Sequence, residues 1–252
     1  MKKFLFLLLM ITSAAVAQST EELFKTANDL YKNDMLEEAV EVYQKIESQG
    51  MVSSELFYNL GNTYYKLNKV GPSIYYYEKA LKLNPLNEDV KNNLVFAKRL
   101  ALDNIEELPK TVFQKINKNF LQKLSYNQWA IVVIVFSFLV CIFFLFFYFA
   151  HSPSKKRFYF ITSTLSFIFL IFSLLITYNQ YSFTQNNKVA IVFAEETEVR
   201  NAPTLNSEEV FTLHEGTKVI VLDTIDDWKK IKIADGKIGW IIASEIKLLD
   251  TF

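Results

Sequence analysis

The sequence predicts a multidomain membrane protein: an all-α helical-repeat region, a two-helix transmembrane hairpin and a small all-β barrel. Three observations carry this. Residue types recur 34 positions apart within 18–108. Two uncharged apolar runs, 129–150 and 158–178, each approach the ~20 residues that a helix needs to cross a bilayer. Beyond residue 188 the pattern changes to short strands separated by turn signals.

Composition narrows the function. The 252 residues are 51% hydrophobic and 15% aromatic. With 27 basic and 27 acidic residues the net charge is zero, which argues against a nucleic-acid binder that works through a basic surface. One cysteine, Cys141, leaves no internal disulfide and no cysteine-based metal site. His151 and His214 have no ligand-like spacing. The zero hides a partition. Segment 18–108 has 10 basic and 15 acidic residues, 109–187 has 7 basic and none acidic, and 188–252 has 8 basic and 12 acidic. A basic apolar segment between two acidic ones is the charge map of two aqueous domains joined through a membrane.

Residues 1–17 read as a signal peptide: Lys2 and Lys3, the apolar run Phe4 to Ile11, then Ala15-Val16-Ala17. An uncleaved anchor is the alternative, and either form exports the repeat region.

In the repeat region Ala27-Asn28 matches Gly61-Asn62, and Leu30-Tyr31-Lys32 matches Tyr64-Tyr65-Lys66. Ala39, Tyr43 and Ile46 match Ser73, Tyr77 and Ala80. The period and the residue types resemble the tetratricopeptide (TPR) family, whose small residues let paired helices approach while large aromatics fill between them. Asn87 to Leu102 supplies a further helix that caps the array. The resemblance implies a concave face that holds a peptide or partner helix, with Asn28, Tyr31, Asn62 and Tyr65 as candidate groove residues. Both asparagines equally suit a purely structural role. Tyr75-Tyr76-Tyr77 predicts at least one exposed ring, because three consecutive helical residues do not share one face.

Residues 109–128 form an amphipathic juxtamembrane segment, with Phe113, Ile116, Phe120 and Leu124 at helical spacing. It either lies on anionic headgroups or packs on the preceding domain. The helices 129–150 and 158–178 come next, joined by a loop at 151–157 and succeeded by a linker at 179–187. Two crossings return the chain to its starting side. The signal peptide and Lys155-Lys156-Arg157 predict a cytoplasmic loop and two periplasmic domains, against the contrary pull of Lys110, Lys115, Lys118 and Lys123. With no Asp, Glu, Lys, Arg or His inside either run, the hairpin reads as an anchor rather than a transport path.

In 188–252, Val199-Arg200-Asn201-Ala202-Pro203, Glu215-Gly216-Thr217-Lys218-Val219, Asp227-Trp228, Asp235-Gly236 and Gly239-Trp240-Ile241 stand in the order of the bacterial SH3 family, which they resemble. Asp235-Gly236 marks a tight hairpin. Some relatives bind cell-wall peptides and others mediate contacts. Trp228 and Trp240 are the surface candidates, with a scaffold role as the alternative.

The order of parts, with Ala27-Asn28-Asp29-Leu30-Tyr31, Tyr58-Asn59-Leu60-Gly61-Asn62, Val199-Arg200-Asn201-Ala202-Pro203 and Leu213-His214-Glu215-Gly216, resembles BatE-type proteins of the Bacteroides aerotolerance (Bat) group. That resemblance implies an inner-membrane envelope protein beside von Willebrand factor A-domain membrane proteins and a MoxR-type ATPase. No nucleophile–base pair, metal constellation or phosphate loop is visible, so the expectation is a scaffold without cofactor, metal or catalytic residues. The alternative is a peptidoglycan sensor or tether acting through the C-terminal barrel.

Overall fold

A computed structural model describes residues 20–106, 108–109, 111, 115, 121–186 and 188–249. The signal segment 1–17 and, in the juxtamembrane segment 109–128, residues 110, 112–114 and 116–120 lie outside the described residues.

The 34-residue period becomes stacked helix pairs. Helices α1 (20–32) and α2 (Leu36–Ser48) form the first pair, α3 (Ser54–Lys66) and α4 (Val70–Leu83) the second, and α5 (Glu88–Leu100) comes after them. Ser53 and Asn87 cap α3 and α5 by accepting from the backbone N–H of Leu56 and Val90. The turn within each pair repeats as well. Asp34 and Asn68 both take a left-handed backbone, φ 61° and 55°, which Asp and Asn tolerate better than other non-glycine residues. The next residues, Met35 and Lys69, donate to the equivalent carbonyls of Leu30 and Tyr64.

The pairs close on small residues. A Cβ on Gly61 would meet the Tyr77 ring at 2.6 Å, so glycine is what lets α3 and α4 approach. Ser73 stands where the first repeat has Ala39, and its hydroxyl donates to the Gly61 carbonyl at 3.0 Å. Tyr43, Leu56, Phe57, Leu60, Ile74, Tyr77 and Val90 fill the core around this contact.

The expected exposed ring is not found. Tyr75, Tyr76 and Tyr77 are 1%, 2% and 1% exposed. Helix α4 is covered on more than one side, which one amphipathic stripe does not anticipate. Tyr77 faces α3, and Tyr76 stacks on Tyr64 at 5.5 Å and donates to Glu47. Tyr75 meets Phe193 of the C-terminal domain edge to face at 5.5 Å.

That domain holds β1 (Lys188–Val192), β2 (Glu196–Arg200), β3 (Glu209–His214), β4 (Lys218–Ile225), β5 (Trp228–Lys232), β6 (Ile238–Ile242) and β7 (Ile246–Leu248). They pair antiparallel in the order β3-β2-β6-β5-β4-β1-β7. Alternation sends Val199, Leu213, Val219, Val221, Ile231 and Ile241 into one interior. Asp226-Asp227 turns β4 into β5, and Asp235-Gly236 turns β5 toward β6.

The repeat helices and this sheet together make one compact unit, although 79 residues, 109–187, separate them in sequence. The intervening hairpin makes the other unit. Its helices are α6 (Tyr126–Phe149) and α7 (Pro153–Asn186), both long and apolar enough to cross a membrane. Ser125 and Gln128 form a capping box at the start of α6. Phe136 on Phe169, Phe146 on Tyr159 and Phe147 on Phe160, with centroids 5.4–5.6 Å apart, hold the helices antiparallel. The predicted loop 151–157 is shorter than expected, because Pro153 suits the first position of a helix and places Lys155, Lys156 and Arg157 in its first turns. The predicted linker 179–187 is helical up to Asn186.

Candidate binding sites

Helices α1, α3 and α5 lie side by side and are tied by a ladder of amides. Asn28 Oδ1 accepts from Tyr43 Oη at 2.6 Å and from Asn59 Nδ2 at 3.0 Å. One repeat on, Asn62 Oδ1 accepts from Tyr77 Oη at 2.6 Å and from Asn93 Nδ2 at 2.8 Å. Each amide thus joins the second helix of its own pair to the first helix of the next. Burial pushes the Tyr43 and Tyr77 hydroxyls up, against the lowering effect of the neighbouring amides, so both remain donors. The two asparagines therefore carry structure, with their remaining polar atoms half-buried on the layer of first helices. Asn59 and Asn93 belong to the same ladder. Their spacing of 34 is the signal that would have found them.

Tyr31 and Tyr65 lie one turn further along. Lys66 Nζ sits 4.4 Å over the Tyr31 ring and pairs with Asp34 at 3.6 Å. Tyr65 is 37% exposed. On α5 the same two register positions hold Phe96, 50% exposed, and Arg99, whose guanidinium lies 5.5 Å over the Phe96 ring. The row Asn28–Asn62–Phe96 with Tyr31–Tyr65–Arg99 is an accessible strip of amide, aromatic and cationic groups running across three helices. Its composition suits an extended peptide or a partner helix.

On the barrel the two tryptophans separate. Trp240 is 8% exposed beneath Lys230, whose Nζ is 5.8 Å from the ring, and is part of the sheet's packing. Trp228 is half-buried and borders an open cleft of about 470 Å³ with Glu196, Thr197, Glu198, Arg200, Leu205, Ile242 and Glu245. Of these, only Trp228 is a sequence candidate. The others come from β2, the following loop, the end of β6 and the turn after it, and no local motif groups them.

The contact between repeat and barrel uses a third set of residues. Asp103, just past α5, accepts from the His214 backbone N–H at 2.8 Å and from the Thr217 hydroxyl, and lies 2.7 Å from His214 Nδ1. Burial raises the Asp103 carboxyl, but these bonds outweigh it and hold it below its usual range. Glu78 of α4 pairs with Lys98 at 2.9 Å and with Lys218 of β4 at 2.7 Å. Burial again raises it, and the two ammonium groups outweigh burial to bring it to about 2. Gly216, at φ +88°, lies so close to Ile74 and Val70 that a Cβ there would meet them at 2.9 and 3.1 Å. Lys82 Nζ donates to the Leu249 carbonyl at 3.0 Å. These contacts fall on α4 and the chain after α5, and leave the Asn28–Tyr65 strip uncovered. Among the described residues, no group of three or more His, Cys, Asp or Glu is arranged to hold a metal ion.

A stack of paired helices joined to a small antiparallel barrel, carried with an apolar hairpin, is the architecture of a modular binding protein. Residues 54–87 match the tetratricopeptide repeat family, and residues 195–247 match the bacterial SH3 domain family. Both are typically binding modules rather than catalysts. Comparison with curated proteins finds no match.

Proposed function

We propose that the protein is a non-enzymatic, membrane-anchored scaffold whose repeat groove collects partner proteins in an envelope stress or aerotolerance complex. The observation that carries this is the strip Asn28, Tyr31, Asn62 and Tyr65 with Phe96 and Arg99, held rigid from beneath by the amide ladder and left open by the barrel. A rigid accessible strip spends little ordering entropy on binding. The BatE-type resemblance supplies the partners: von Willebrand factor A-domain membrane proteins and a MoxR-type ATPase system. The scaffold sits in the bacterial inner membrane as a two-pass protein, with both large domains periplasmic. The repeat–barrel contact through Asp103, His214 and Thr217 supports a shared compartment, since residues that bond one another are on one side. The signal peptide and the Lys155-Lys156-Arg157 cluster support the periplasmic side.

Affinity capture of the tagged full chain from cross-linked native membranes tests the reading. A-domain membrane proteins should be recovered with the wild type and lost with the Tyr31→Ala, Tyr65→Ala variant. Recovery of wall fragments alone would sink the scaffold and favour a peptidoglycan tether through the barrel. Reporter fusions after residues 108 and 252 test the topology, and cytoplasmic activity at both positions would refute it.

A further inference from the structure

We propose that the cleft beside Trp228 is a second binding site, one that takes the side-chain ammonium of a peptide lysine. The proposal does not rest on the repeat groove. Trp228 and Ile242 are direct partners across β5 and β6, so their side chains lie together on one face of the sheet. Leu205, 67% exposed, comes from the loop after β2. These three give the cleft an apolar wall.

Glu196 and Glu198 project from the same face of β2, and Glu245 comes from the turn after β6. Arg200 is also in the cleft, where two of its guanidinium nitrogens are engaged. One guanidinium nitrogen donates to the Ser207 carbonyl and another to the Glu198 carboxylate. Arg200 and Glu198 therefore cancel. Glu245 accepts from the Thr197 hydroxyl. Neither Glu196 nor Glu245 has a cationic partner among the described residues.

Carboxylates alone on a strand would be an ordinary solvated face. Here they border a cleft with an indole and two aliphatic side chains, and that pairing of chemistries selects the ligand. A lysine stem lies along apolar surface while its ammonium reaches a carboxylate. Glu196 and Glu245 offer that charge two acceptors from different elements. The cleft is open to solvent, so the lysine can remain part of a peptide whose backbone stays outside.

The test uses the full chain in zwitterionic nanodiscs and isothermal titration with an acetylated, amidated Ala-Ala-Lys-Ala peptide. Binding is expected, and it should weaken at least about tenfold when the lysine carries an Nε-acetyl group, because the charge is then lost. Glu196→Gln and Glu245→Gln should each weaken it about fivefold, the scale of one partly exposed ion pair. Glu41→Gln, on the exposed surface of α2, should leave it unchanged. Equal affinity for the free and acetylated peptides would overturn the proposal. So would the absence of binding at about 10 mM peptide, weaker than the millimolar range that a few kcal/mol supplies. A peptide with D-alanine on both sides of the lysine separates the sources: tighter binding than the all-L peptide assigns a wall peptide, and weaker binding assigns a protein. The Tyr31→Ala, Tyr65→Ala chain should bind as the wild type does, so this proposal and the groove reading fail separately.

Discussion

Two sets of contacts hold the unit of repeat helices and barrel together, and they are built differently. Inside the repeat domain the bonds recur: Asn28 with Tyr43 and Asn59, then Asn62 with Tyr77 and Asn93, at the same separations of 15 and 31 residues. Between repeat and barrel each contact occurs once, and its partners are far apart: Asp103 with His214, Glu78 with Lys218, Lys82 with Leu249. The first set is neutral, hydroxyl to amide and amide to amide. Each contact of the second involves a charged side chain. Neutral amide–hydroxyl bonds do not change with pH below the tyrosine range, whereas carboxylate–ammonium pairs do. Lowering the pH should therefore weaken the repeat–barrel contact and leave the amide ladder unchanged, while the Glu47–Lys79 pair inside the stack responds to acid as well.

The largest expected effect breaks the recurring set. Tyr77→Ala removes a core ring, its hydrogen bond to Asn62 and the filling against Gly61. Aromatic-to-alanine changes in a core cost about 3–5 kcal/mol. Native-state hydrogen exchange of the full chain in detergent should show α3 and α4 losing protection by that order, with β5 and β6 much less affected. Equal loss in both regions would mean that repeat and barrel unfold as one, and would erase the distinction.

The next effect breaks the single-use set. The Glu78 carboxyl, ordinarily near 4.5, is held at about 2, and its side chain is 11% exposed. A depressed carboxyl stabilises the fold above its unfolded value, and that contribution is lost as pH falls from 4.5 toward 2. It amounts to roughly 3 kcal/mol at most. Lowering the pH through this window should raise exchange at the α4–β4 contact before it raises exchange within α3. Glu78→Gln should flatten that dependence and should cost about 1–3 kcal/mol at neutral pH, since it leaves Lys218 and Lys98 near each other without their counter-charge.

This difference also explains what is legible in the sequence. The period makes Asn28, Asn62, Tyr43 and Tyr77 visible, because a recurring bond leaves a recurring residue. Strand alternation and the Asp235-Gly236 turn do the same for the barrel. Asp103 stands in no motif, and His214 is visible only as a histidine without ligand-like spacing, since their bond spans 111 residues and leaves no local pattern. The burial of Tyr75 is hidden for the same reason. Its exposed side, read from α4 alone, is where Phe193 packs. The Trp228 cleft is half legible: an aromatic strand residue stands out, while Glu196, Leu205 and Glu245 converge only through the strand order.

The smallest effect on stability sharpens the comparison most. Tyr65 occupies a recurring position, with Tyr31 before it and Arg99 after it, yet it is 37% exposed and no core cluster includes it. Tyr31, its counterpart, packs partly on the core, whereas Tyr65 does not, so core packing does not account for Tyr65. Tyr65→Ala should therefore change stability by no more than about 0.5 kcal/mol, as surface substitutions do. Its protection pattern in hydrogen exchange should superimpose on that of the wild type. The recovery of partner proteins in cross-linked capture should nonetheless fall severalfold, because an exposed aromatic on a rigid strip is the kind of residue that anchors an interface. If capture is unchanged while stability is also unchanged, the first-helix strip is only the solvated side of the ladder. If stability falls by a kilocalorie or more, Tyr65 belongs with Tyr77 among the residues that build the repeat.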